Sequence, residues 1–189
     1  FVYSDETHSF YVISFSTEKT LVYDLTTDEW HIRGSLNVVT GENIRQFSQG
    51  HGFFNNKHYV GSYSSADIYQ MSLETLDEDG TEIRRVIITN HINNENKILK
   101  HKKLELDCEK GVGLIGGSEP QVTLQVSSDG GNTYSSEAWV SAAITPGAIG
   151  EYKVRVLWQR LGIARDRNYK ITMSDAVKWI ISGAWLEVA

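Results

Sequence analysis

No apolar run in this chain exceeds five residues, and most such runs alternate with polar side chains or stop at a turn. That rules out a bilayer-spanning helix, which needs about 20 consecutive apolar residues. It also leaves no amphipathic helix of useful length, so strands are what remain. Val122-Thr123-Leu124-Gln125-Val126-Ser127 puts Val122, Leu124 and Val126 on one face, and Lys103–Cys108 alternates just as strictly. Tyr152–Trp158 directs Tyr152, Val154, Val156 and Trp158 one way and Lys153 and Arg155 the other, because successive strand side chains point to opposite faces. Arg85–Thr89, Tyr169–Met173 and Val177–Ile181 complete a set of half-buried strands for which an antiparallel β-sandwich is the natural architecture.

The N-terminal part has shorter strands. Phe10–Phe15, Leu21–Asp24 and Trp30–Arg33 follow one another across the polar turn Thr26-Thr27-Asp28-Glu29, which is an antiparallel meander. Gly52-Phe53-Phe54, the turn Asn55-Asn56, Lys57–Gly61 and Asp67–Met71 repeat the pattern. The stretch Val22–Trp30 resembles the outer strands of a kelch-type propeller blade, and Asp67–Met71 looks like the matching strand of the next. Radial closure takes at least about four blades. The chain, which opens on Phe1 rather than Met, is therefore expected to be part of a longer protein. The expected fold class is all-β, with propeller-like blades over residues 1–75 and a C-terminal β-sandwich over 76–189.

Charge follows the same division. The net charge is −6, which taken whole argues against a nucleic-acid protein. Residues 1–82 carry 4 basic and 13 acidic side chains, whereas residues 83–189 carry 14 basic and 11 acidic. Two modules of opposite sign suggest different neighbours. The balance turns over at the acidic loop Leu76-Asp77-Glu78-Asp79-Gly80-Thr81. A single cysteine and the absence of an Asn-x-Ser/Thr sequon fit a reducing compartment.

Few motifs suggest chemistry. Gly111-Val112-Gly113-Leu114-Ile115-Gly116 spells a dinucleotide fingerprint, but Gly117-Ser118-Glu119-Pro120 follows where a helix is required, so a loop is expected. His51 and His58 lack metal-ligand spacing, and Asp77–Gly80 lacks the alternate ligands of a calcium loop. Cys108 alternates with Leu104 and Leu106 and reads as a small buried hydrophobe. No nucleophile elbow occurs. No cofactor, metal or catalytic residue is expected, and the chain is not read as an enzyme. Ser127-Ser128-Asp129-Gly130-Gly131-Asn132-Thr133-Tyr134 resembles the Asp-box hairpin of sialidases. Asp129 and Thr133 would close a turn for which Gly130 and Gly131 supply positive φ. That marks a structural hairpin rather than a sugar site.

Two basic clusters stand out, Lys97, Lys100, Lys102 and Lys103, and then Lys153, Arg155, Arg160, Arg165, Arg167 and Lys170. Tyr152, Trp158 and Tyr169 lie among the second set on the opposite strand face, as core rather than a base-stacking platform. A solvated face balanced by the acidic module is the simpler reading. A positive surface facing DNA or an acidic partner is the functional one.

The second half also resembles a known family. Ser127–Trp139 is similar to a phage-encoded S-D-D-G-G-x-T-W-S-x-E-x-W segment, and Ile149–Gly162 to I-G-E-Y-x-x-R-V-x-W-x-R-L-G. Ala164-Arg165-Asp166-Arg167 closes that run. His91-Ile92-Asn93-Asn94-Glu95-Asn96 is a variant of the family's H-I-S-N-E-N. Tyr134 and Asn93 replace the family's Trp and Ser, and Thr145-Pro146-Gly147 lengthens a loop. The family is that of the phage stabilisation (packaged-DNA stabilisation, tail hub) proteins of short-tailed bacteriophages. The resemblance implies a virion tail protein assembled in the bacterial cytoplasm, away from any membrane. It would form a homo-oligomeric ring at the head-to-tail connection and hold double-stranded DNA in the channel without sequence preference. Its implied partners are the portal-adaptor ring, tail needle and tailspike. Lys153, Arg155, Arg160, Arg165 and Arg167 are then the residues expected to face DNA or a neighbouring subunit. A carbohydrate- or receptor-binding module of a phage tail is the alternative.

Overall fold

The computed structural model describes residues 1–16, 19–114, 119–136 and 144–189. Thr17, Glu18, Gly116 and the Glu137–Trp139 end of the phage-like segment Ser127–Trp139 lie outside them. Among the described residues there is no helix, and every strand pairing is antiparallel. The chain divides into two compact units, Phe1–Ile83 and Arg84–Ala189.

In the first unit β1 (Val2–Asp5), β2 (His8–Ser14), β3 (Thr20–Asp24), β4 (Glu29–Leu36) and β5 (Asn43–Arg45) form one meander in chain order. A second meander joins β6 (Ser48–Phe54), β7 (Lys57–Ser62) and β8 (Ile68–Met71). The β6–β7 turn places Asn55 and Asn56 at φ 48° and 58°, the left-handed pair that a two-residue hairpin demands. The larger sheet is apolar on both faces. One buries Tyr3, Val12 and Val22 with Phe10 and Met71 packed against them, and the His51 ring lies 5.5 Å from that of Tyr3. On the other, β-register aligns Tyr11 with Tyr23 and Trp30, and Leu21 with Ile32. Tyr11, Trp30 and Ile32 remain exposed there.

The acidic loop folds as a hairpin of β9 (Asp77–Glu78) and β10 (Thr81–Glu82). Glu78 interacts with the Ser35 and Gln46 side chains of the first unit, while burial pushes its carboxyl above the usual value. The division between the units therefore falls after this loop rather than before it.

The second unit contains β11 (Arg85–Ile88), β12 (Ile92–Asn93), β13 (Leu99–Cys108), β14 (Val122–Ser127), β15 (Val156–Gln159), β16 (Ile163–Ala164), β17 (Asp166–Met173) and β18 (Ile181–Val188). In one sheet β17 pairs with β14 on one side and with β11 and β12 on the other; in the second, β13 lies between β18 and the pair β15 and β16. Leu104, Leu106, Cys108, Val156 and Trp158 of the second sheet meet Val122, Leu124, Val126, Tyr169, Ile171 and Met173 of the first in one core, which makes a β-sandwich. Each such side chain contributes roughly 1.5–3 kcal/mol when fully buried.

Two strand expectations need correction. Tyr152 is 71% exposed and precedes the strand, which begins only at Val156. The segment from 147 to 150 turns through Gly147 and Gly150 at φ 103° and 89°, and the Tyr152 ring lies over Gly111 outside the core. Val177–Ile180 is likewise not a strand. Val177 is buried, but the Arg85 guanidinium donates to the carbonyls of Val177 and Asp175, both at 2.5 Å, and holds a turn there. The strand starts at Ile181 instead.

Candidate functional site

Antiparallel pairing merges the two basic clusters. β13 sets Lys103 opposite Gln159 and Lys100 opposite Ile163, so Lys100, Lys102 and Lys103 share a sheet with the segment that carries Arg155 and Arg160. A β-bulge between His101 and Lys103 shifts the phase of β13. Leu99 and His101 point inward before it, and Leu104, Leu106 and Cys108 after it, which leaves Lys100 and Lys102 exposed. Bulges commonly re-aim side chains in this way.

The five cations fall into different environments. Lys153 is exposed in the loop before β15. Arg155 forks onto Glu105 of β13, with Nε 2.8 Å from Oε1 and Nη2 bonded to Oε2. The guanidinium holds the Glu105 carboxyl below its ordinary value, and the carboxylate in turn raises that of Arg155. Arg160 takes the left-handed conformation, φ 60°, at the end of β15, and its amide donates to the Lys102 carbonyl at 2.8 Å. Arg165 is exposed and donates to the Asn96 carbonyl at 2.7 Å.

Arg167 corrects the expectation that it faces outward. It is 4% exposed. Its guanidinium donates to the Leu161 carbonyl, to the Ile163 carbonyl at 3.2 Å and to Ser128 Oγ at 3.4 Å. It ties the β15–β16 turn to the Asp129 loop from within. Glu187 is shared by Lys102 at 3.1 Å and Lys103 at 3.3 Å, whereas Lys100 and Arg160 have no ion-pair partner among the described residues.

Between these two residues lies a cleft of about 520 Å³, lined in part by His101, Gly162 and Ile163. No sequence signal marked it, since it arises from a bulge and from the contact of segments sixty residues apart. His101, buried behind the lysines, is 1% exposed, and its Nδ1 lies 2.8 Å from the Tyr169 hydroxyl.

The Asp129 loop is a closed knot. Ser127 Oγ donates to Asp129 Oδ1 at 2.6 Å, and Thr133 donates through its amide to Oδ1 at 3.0 Å and through its hydroxyl to Oδ2 at 2.6 Å. Gly131 donates to Ser127 Oγ at 2.9 Å, and Gly130 and Gly131 sit at φ 74° and 86°. Both carboxylate oxygens are engaged inside the loop. The hydroxyl bonds from Ser127 and Thr133, with the Thr133 amide, hold the carboxyl down to about 2 from 3.8. The folded group keeps its charge where the unfolded one takes a proton, so the knot's contribution is complete above about 4 and vanishes as pH falls toward 2. Asp129→Asn should therefore flatten the acid limb of the melting-temperature profile between those values. An unchanged limb would show that the knot carries no linkage.

The remaining chemistry is sparse. Among the described residues no group of three or more His, Cys, Asp or Glu side chains is placed to hold a metal ion. Cys108 is buried, and desolvation raises its thiol above the ordinary value, the reverse of what a nucleophile needs. His51 and His58 bond to each other at 2.9 Å. Gly111 and Gly113 belong to a loop, and a Cβ on Gly113 would stand 2.6 Å from the Ile149 nitrogen.

No curated protein matches the chain. Residues 84–189, which are the second unit, match the family described as bacteriophage P22 Gp10, β-sandwich. With more than half its length in that match and two facing antiparallel sheets over the same residues, the chain belongs to the bacteriophage P22 Gp10 β-sandwich family.

Proposed function

We propose that this chain is a structural, non-catalytic component of a short phage tail, part of the head-to-tail connection, which keeps packaged DNA in the capsid and docks other tail proteins. It would be assembled in the bacterial cytoplasm and remain in the virion. The observation that carries the proposal is the merged basic face of the sandwich. Lys100 and Arg160 are exposed there on paired segments of a phage-family domain, and Lys153 and Arg165 are exposed in the segments that flank β15 and β16. A surface of this kind contacts DNA phosphates without reading bases, or an acidic subunit. The first unit supports a propeller-like arrangement, because a sheet with apolar side chains on both faces suits a blade stacked between neighbours. The portal-adaptor ring, tail needle and tailspike are the partners such a position would supply.

Genome retention tests this. Particles assembled without the protein should package DNA and then lose it, so that nuclease-protected genome falls at least tenfold, as order-of-magnitude leakage; adding the protein back should restore it. Protein carrying Gln at Lys153, Arg155, Arg160 and Arg165 should restore it less well, and less so as salt rises, since counterion release scales with the number of phosphate contacts. Full retention without the protein would refute the function.

A further inference from the structure

The cleft beside Arg160 has a composition of its own. Ile163 and the aliphatic stems of its lysines give it apolar walls, since long cations cover apolar surface while their heads stay in water. Lys100 and Arg160 stand at its rim without ion-pair partners among the described residues. Behind them lies a buried pair. The Tyr169 hydroxyl and His101 Nδ1 share a hydrogen bond of 2.8 Å. His101 Nε2 has no hydrogen-bond partner among the described residues. Burial, and after it the Arg167 charge, lowers the imidazole's pKa. A cleft of this size falls in the range of specific ligand sites, and its chemistry suits a carboxylate next to an apolar side chain.

The same chain offers such a group. Its first 82 residues carry 13 acidic against 4 basic side chains. Their β4–β5 loop presents Val39 at 90% exposure, the highest of any large apolar residue described. Asn37 Oδ1 accepts from the Val39 and Thr40 amides at 2.9 and 3.3 Å, so the loop is ordered before it meets anything. Glu42 ends it, its carbonyl bound by the Asn37 amide at 2.9 Å.

We propose that the cleft of one copy receives the Val39–Glu42 loop of a second copy, with Val39 on the apolar wall and the Glu42 carboxylate between Lys100 and Arg160. Loop and cleft are unlike patches, one in each unit, so the contact is head-to-tail, the kind that closes into a ring when the rotation allows. Duplex DNA is the poorer occupant, because a phosphate backbone gains nothing from an apolar wall. The inference rests on the reading that copies assemble side by side in a tail.

Sedimentation equilibrium of the chain, at low and high salt, tests it. Self-association should be present at low salt, and Arg160→Glu, Lys100→Glu and Glu42→Arg should each weaken it about tenfold or more. Arg160→Glu combined with Glu42→Arg should recover most of the loss, and Val39→Asp should weaken association with its melting temperature unchanged. All these positions are exposed, and melting curves confirm that each variant is folded. A chain that stays monomeric at low salt, or whose association ignores Arg160→Glu, overturns the proposal. So does duplex DNA binding that Arg160→Glu removes while self-association persists. Such failures leave the tail function standing, because genome retention in particles is read independently.

Discussion

Arg167→Ala is expected to destabilise the second unit by about 2–4 kcal/mol, because the buried acceptors that the guanidinium serves are left without a donor. The reason is geometric. The guanidinium lies inside the protein, bonded to the carbonyls of Leu161 and Ile163 on the β15–β16 turn and to Ser128 of the Asp129 loop. Removing it leaves buried carbonyls unmet, at about 1–3 kcal/mol each. It also takes the donor from Tyr169, whose hydroxyl burial has raised to about 12. Arg167→Met, which retains volume but no donor, should lose nearly as much. Arg167→Lys should recover only part, because an ammonium cannot reproduce the planar fork. Urea unfolding measures all three, and a loss below about 1 kcal/mol for alanine would contradict an internal role.

Trp158→Ala should cost about 3–5 kcal/mol, the usual price of emptying a large aromatic site in a core. Trp158 is 1% exposed, pairs with Leu104 across β13 and β15, and sits in the cluster that joins the two sheets. Tyr152→Ala is the control. Its ring is 71% exposed, and surface substitutions of that kind usually stay within about ±0.5 kcal/mol. The sequence pattern alone puts both residues on one buried face, so the contrast between them tests where β15 begins. Equal losses would mean that Tyr152 is packed after all.

Alternation makes β14 and β17 legible, because Val122, Leu124 and Val126, and Tyr169, Ile171 and Met173, enter the core while Thr123, Gln125, Lys170 and Thr172 between them are polar. It failed where backbone geometry interrupts the period. β18 runs Ile181-Ser182-Gly183-Ala184-Trp185-Leu186, in which small residues face both ways and Trp185 points outward, so no period shows. The bulge at His101–Lys103 inverts the phase of β13 midway. That is why the alternation is readable only from Lys103, and why nothing in the pattern marks His101, among its lysines, as buried. Charge was legible as composition but not as direction. Arg165 and Arg167 are two apart in one basic stretch, yet one lies outside the sheet and the other is enclosed by the turn it bonds. The cleft depends on pairings between β13, β15 and β16 that no local pattern encodes.

The most direct measurement is quantitative mass spectrometry of purified phage particles beside DNA-filled heads that lack tails. A structural tail component should be present at a fixed copy number in the complete particles and absent from the tailless heads. Its absence from complete particles would contradict the account outright, whatever the chain does in solution.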